Sequence, residues 1–141
     1  MASVIDMKLM RYINLFSRIS KVHTTKVFVY NNVIVFAVPK PLVSKAVGKD
    51  GVNVKKLGET LRRKIKVISI ANPESNEDIE RFVTDVVRPV TFNKIEFKDG
   101  GAVISAGRQS KAALIGRGRI REKELSEVLK NFFKIKGVRI A

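Results

Sequence analysis

The 141-residue chain has no cysteine. Disulfides, thiolate metal sites and thiol nucleophiles are thereby excluded together. It has one histidine, His23, so a Ser-His triad or a multi-histidine metal site would have to rest on that side chain alone. His23 stands beside Thr24 and Thr25 at the entrance to a predicted strand, the setting of a solvated or hydrogen-bonded loop histidine. Long apolar runs are missing as well. The best, Val33 to Val38, has six residues, where a membrane-spanning helix needs about 20. The first residues place Asp6 and Lys8 inside an amphipathic pattern instead of the apolar stretch of a secretion signal, so a cytoplasmic location is expected. Carboxylates are scarce: 13 Asp and Glu stand against 28 Lys and Arg, for a formal net charge of +15.

That imbalance points to a polyanionic partner, because each phosphate neutralised by Lys or Arg releases condensed counterions. A merely solubilising basic surface or an anionic membrane face would also use cations. Here, however, the periodic segments are committed to a core, which favours nucleic acid. No cofactor is expected and no membrane contact.

What is present is a repeat. Gly48-Lys49-Asp50-Gly51 and Gly116-Arg117-Gly118-Arg119 lie at an offset of 68 residues. The same offset places Val27 and Val29 on Ile95 and Phe97, Val35 and Phe36 on Val103 and Ile104, and Leu57 and Leu61 on Leu125 and Leu129. It also places Val67 and Ile70 on Ile135 and Val138. Strand-type and helix-type apolar positions staying in register together indicate a duplicated supersecondary unit. The expected division is 1–71 and 72–141, two small units that would pack against each other because each alone buries little surface.

In the first unit, Val4, Ile5, Leu9, Tyr12, Ile13 and Phe16 predict an amphipathic helix over 3–20. Lys26–Tyr30 and Val33–Val38 read as a hairpin around Asn31-Asn32. Pro39 and Pro41 introduce a short helix, Leu42 to Val47. After the Gly turn, a helix is predicted over Val52–Lys64 with Val54, Leu57, Leu61 and Ile65 inward, then a strand over Lys66–Ile70. In the second unit, Ser75 to Asp78 resembles a capping box opening a helix that runs to about Arg88. A hairpin of Lys94–Lys98 and Ala102–Ala106 turns at Asp99-Gly100-Gly101, and Ser110–Ile115, Arg121–Phe133 and Ile135–Ile140 complete the order. Each unit reads α-β-β-α-α-β, an α+β fold.

A turn between two helices that opens with glycine lets a sugar-phosphate chain approach the backbone. The helix after it presents unpaired amides and the positive end of its dipole to the same place, and Lys49 adds an ammonium. Bases would lie in an aliphatic groove beside the turn, where unpaired bases expose their flat faces. Val43, Ala46, Val47, Val52, Val54 and the second hairpin strand are the candidate walls. Lys45, Lys55, Lys56, Arg62, Arg63 and Lys64 make the surroundings basic.

The element order, the Gly-x-x-Gly turn and the repeat together resemble tandem KH domains of type II, each with a three-stranded mixed sheet and helices on one face. Ala46 to Val54 resembles the turn of NusA proteins, and Ala113 to Gly118 is similar to the second KH domain of that family. The resemblance covers nearly the whole chain and is nearest to the short archaeal NusA-type proteins that consist of the KH pair. It implies a monomer that binds single-stranded RNA, the nascent transcript, in transcription elongation, termination or antitermination, with RNA polymerase as a further partner. The expected RNA-binding residues are Gly48, Lys49, Asp50 and Gly51, with Lys45, Val47, Val52 and Lys55 beside them, and Gly116, Arg117, Gly118, Arg119 and Arg121 in the second unit. Position 119 departs from the family pattern, which has glycine there.

Two other classes compete. A basic ribosome- or polymerase-associated assembly protein would read folded RNA by shape, but such proteins commonly carry long basic tails, and this chain begins and ends inside predicted elements. An enzyme would need clustered carboxylates for a metal or a histidine acid-base pair. Glu74, Glu77, Asp78, Glu80 and Asp85 gather on one predicted helix, where Glu77 and Glu80 read as its solvated face. Gly116-Arg117-Gly118 lacks the Lys-Ser/Thr ending of a P-loop.

Overall fold

The computed structural model describes residues 4–141, with side chains from Met7 onward. The expected helix start at Ser3 and the inward Val4 and Ile5 side chains therefore lie outside what is described. The chain is α+β, with six α-helices and two three-stranded mixed sheets among the described residues. It divides into two compact units, Met1–Ile70 and Ala71–Ala141.

The first unit runs α1 (Val4–Ser20), β1 (Lys26–Tyr30), β2 (Val33–Val38), α2 (Val43–Val47), α3 (Val52–Leu61) and β3 (Lys64–Ser69). Asn31 and Asn32 both take positive φ, 51° and 63°, as the two-residue hairpin turn matching strand twist requires. β2 is the central strand, antiparallel to β1 and parallel to β3. Its alternation sends Ile34, Phe36 and Val38 into a core with Phe16, Val22, Val27, Ala46 and Leu57. The Phe16 ring stacks on Phe36 at a centroid distance of 4.2 Å. Val35 and Ala37, on the opposite face of β2, are buried too.

In this unit two boundaries differ from the sequence reading by more than one residue. α3 stops at Leu61 because Arg62 adopts the left-handed conformation (φ 55°, ψ 41°). β3 then starts at Lys64, so Ile65 is a strand residue and not the last inward position of the helix. Parallel pairing of Val33 with Lys64 sets this early start.

The second unit runs α4 (Asn76–Val87), β4 (Lys94–Lys98), β5 (Gly101–Ser105), α5 (Arg108–Ile115), α6 (Ile120–Phe133) and β6 (Val138–Ile140), with sheet order β4-β5-β6. The hairpin turn is Asp99-Gly100 alone, since Gly101 pairs with Lys98 as a strand residue. Ile79, Phe82, Val83, Val86 and Val87 form the buried stripe of α4, and Phe82 meets Phe133 edge-on at 5.0 Å. Half of the expected capping box forms: Ser75 Oγ accepts from the Asp78 amide at 3.2 Å. The Asp78 carboxylate does not return to Ser75 but accepts from the Asn72 amide at 2.6 Å, tying down the segment before the helix.

The repeat loses its register near its end. Phe36 pairs with Val67, and its equivalent Ile104 pairs with Ile140. The last strands are thus related by an offset of 73, not 68, and Val67 corresponds to Ile140 instead of Ile135. The difference of five arises because α6 has 14 residues where α3 has 10, and because Lys134 to Lys136 replaces the shorter Arg62-Arg63 link, Gly137 being the equivalent of Lys64. Ser126 on α6 fastens this longer path. Its Oγ accepts from the Val138 amide at 2.9 Å and donates to the Val138 carbonyl at 3.1 Å. Ser126→Ala leaves both groups without that partner, and we expect a loss of about 1–2 kcal/mol in stability, measured by denaturant unfolding of the second unit followed by circular dichroism.

Candidate nucleic-acid interface

Both Gly turns follow one backbone path. Gly48 has φ 82° and ψ 164°, and Gly116 has 74° and 169°. Asp50 (55°, 25°) matches Gly118 (63°, 23°), and Gly51 (74°, 21°) matches Arg119 (63°, 23°). The closing bonds match as well. The Gly48 amide donates to Ser44 O and the Gly51 amide to Gly48 O, both at 3.0 Å, while Gly116 donates to Ala112 O at 3.0 Å and Arg119 to Gly116 O at 3.1 Å. Val52 and Ile120 complete the turns by donating to Lys49 O and Arg117 O. These closing bonds use neither the Lys49 and Asp50 amides nor those of Arg117 and Gly118. Consecutive amides in a turn of this kind form a concavity suited to an anion.

The first position of each turn is tied to glycine twice over. Its φ and ψ are accessible essentially to glycine alone, and the space is filled. A Cβ at Gly48 would lie 2.9 Å from Asn53 Cγ and Val52 Cγ1, and one at Gly116 would lie 2.6 Å from Arg121 Cγ. Asn53 also donates its side-chain amide to Lys45 O at 3.1 Å, clasping the end of α2 to the start of α3. The fourth position is different, since a Cβ at Gly51 would meet nothing within 4 Å. Open space there explains how Arg119 occupies the equivalent place with the same backbone.

Around the first turn, Lys45, Lys49, Asp50, Lys55 and Lys56 are exposed and Val47 is half-buried. Val52, the first residue of α3, is 53% exposed, and its equivalent Ile120 is 48% exposed. Each turn therefore carries a cation at its second position and an exposed aliphatic side chain just after it. The proposed groove walls need correction. Ala46 and nearly all of β2 are buried, so they can only be core. The strand beside α2 and α3 is the edge strand β3, where Ile65, Lys66 and Val67 are half-exposed. Sequence reasoning missed it because edge position follows from the parallel crossover, not from local pattern.

Around the second turn, Arg117, Gly118 and Arg119 are exposed. Arg121 lies under Gly116, its side chain 21% exposed and paired with Glu124. Arg119 Nη1 pairs with Glu122 Oε1 at 2.9 Å, and Glu122 Oε2 accepts from the Ile140 amide at 2.9 Å. Glu122 was legible in principle as a carboxylate three residues after an arginine that precedes the helix.

Charge is divided unequally. Residues 1–70 hold 14 Lys and Arg against 3 Asp and Glu, a net of +11, whereas residues 71–141 hold 14 against 10, a net of +4. The second unit also pairs its charges along its elements. Arg81 bonds Asp78 at 3.1 Å and Asp85 at 2.8 Å on α4. On β4, hydrogen bonds from Lys94 and then Lys98 hold the Glu96 carboxyl below the usual range. Among the described residues no group of three or more His, Asp or Glu side chains could hold a metal ion. His23 is exposed before β1. No helix of the described residues is long and apolar enough to cross a membrane.

No protein-family model matches this chain, and no curated protein matches it. Among solved structures it is similar to one described as "Crystal structure of APE1850", with a TM-score of 0.65 and 28% sequence identity, over 96% of this chain and 99% of that one.

Proposed function

We propose that the chain is a single-stranded RNA-binding protein built from two type II KH-like units, a NusA-type factor acting on the nascent transcript in elongation or termination. The observation that carries this reading is the turn Gly48–Gly51. Its unused amides, exposed Lys49 and exposed Val52 meet at one place on the more basic unit. A phosphate would sit on the amides and the lysine. An unpaired base would reach Val52 and the half-exposed aliphatic residues of α2 and β3. A duplex keeps its bases stacked inside and offers no such contact.

The role is one of binding. Asp78 and Asp85, the carboxylates of α4 that an enzyme could have used, are engaged by Arg81. RNA polymerase is a further proposed partner, and the cytoplasm the proposed compartment. Fluorescence anisotropy with a short single-stranded RNA, the matching duplex RNA and single-stranded DNA across a salt series tests the reading. Tighter binding of single-stranded RNA at every salt concentration supports it. Equal binding of all three, abolished together by salt, favours a basic assembly protein that reads only charge.

A further inference from the structure

The repeat supplies an internal comparison that the RNA-binding reading, on which this inference rests, does not use. Two turns with one backbone path carry different charges just behind them. In the first unit the residues three and five after Gly51 are Val54 and Lys56. In the second, the residues three and five after Arg119 are Glu122 and Glu124. Both carboxylates are occupied by arginines of the turn region, Glu122 by Arg119 at 2.9 Å and Glu124 by Arg121.

Glu122 is the more telling of the two. Its side chain is 12% exposed, and it is anchored from behind by the Ile140 amide of β6. Its other oxygen, Oε1, takes one N–H of the Arg119 guanidinium, whose side chain is 62% exposed, and so fills the place that one phosphate oxygen would take on the same group. Arg117, by contrast, is exposed and forms no ion pair among the described residues.

We propose that the second turn is masked by its own carboxylate: Glu122 holds Arg119 as an intramolecular stand-in for phosphate. The first turn then carries most of the affinity for RNA. Arg119 is thus a reserve cation, and Glu122 is a positioning residue that acts through it.

The test is a double-mutant cycle on the full chain, with a short single-stranded RNA as the probe. Glu122→Gln retains an oxygen for the Ile140 amide but turns an NH₂ group toward Arg119, releasing the guanidinium. The expected result is RNA binding tighter by about 3- to 10-fold, with a steeper salt dependence as one more phosphate is engaged. Glu127→Gln removes the same charge from an exposed position on α6 and measures the long-range effect alone, expected to be under about 2-fold. In an Arg119→Gln background, Glu122→Gln should gain no more than Glu127→Gln does. A gain that persists without Arg119, or weaker binding by Glu122→Gln, overturns the proposal. Lys49→Asp is measured alongside. If it too leaves RNA binding intact, the RNA-site reading itself fails; if it weakens binding while Glu122→Gln brings no gain, only the masking fails. Should Glu122→Gln not fold, NMR of the arginine side-chain N–H groups in the wild-type protein decides. Addition of RNA should shift Arg117 and leave Arg119 in place, and a shift of Arg119 would count against masking.

Discussion

Gly48→Ala is expected to destabilise the first unit by about 2–4 kcal/mol, whereas Gly51→Ala should cost no more than about 2 kcal/mol. The difference follows from geometry, since both glycines have positive φ, 82° and 74°. Gly51 lies in the left-handed helical region, which other residues enter at a cost of about 1–2 kcal/mol or less, and Arg119 shows that this path tolerates a side chain. Gly48 has ψ 164°, a region where strain alone costs about 1–3 kcal/mol. Its new methyl group would also press on Asn53 and Val52. Relief of that clash would lift Asn53 from Lys45 O and part α2 from α3. Both tyrosines of the chain, Tyr12 and Tyr30, lie in the first unit, and there is no tryptophan. Tyrosine fluorescence during urea unfolding therefore follows that unit. Equal losses for the two variants would show that the first position is not specially constrained.

Lys49→Asp is expected to weaken binding of single-stranded RNA by about 10- to 100-fold, or about 1.4–2.7 kcal/mol, with no change in unfolding. The substitution removes a cation and places a carboxylate beside Asp50, directly over the amides that would hold the phosphate. The Lys49 side chain is exposed, and the Lys49 carbonyl that accepts from Val52 is kept in the variant, so stability should not follow affinity. The slope of log affinity against log salt should fall by about one phosphate contact. A loss of affinity matched by Lys40→Asp, an exposed lysine ahead of α2, would mean that the surface attracts RNA without a site.

Much of this arrangement is legible in the order of the residues. The β-branched and aromatic runs Val27 to Tyr30 and Val33 to Val38, broken by Asn31-Asn32, place the first hairpin at its observed limits, because turn chemistry and strand propensity agree there. The 3.6-residue stripe of Phe82, Val83 and Val86 likewise marks α4. What escapes lies where tertiary structure overrides local pattern. Arg62, Arg63 and Lys64 have no periodicity, so nothing local reveals that Arg62 turns left-handed and ends α3. Ile135 is apolar at the repeat's own offset and so conceals the longer α6 and the shift of β6. Buried on both faces, β2 shows continuous apolarity, which marks it as central but cannot show that β3 takes the edge. The site itself divides in the same way. The glycines and cations of the turns stand out in the sequence, but the burial of Ala46, the tucked position of Arg121 and the anchoring of Glu122 to Ile140 depend on strands far away along the chain.

Amide NMR of the full chain titrated with a short single-stranded RNA tests whether the first Gly turn holds an RNA backbone. If it does, the amides of Lys49, Asp50, Gly51 and Val52 shift first and furthest, followed by those of α2 and β3, with smaller shifts at Arg117 and Gly118. Shifts of similar size spread over all basic segments, with Gly48 to Val52 undistinguished among them, would contradict it.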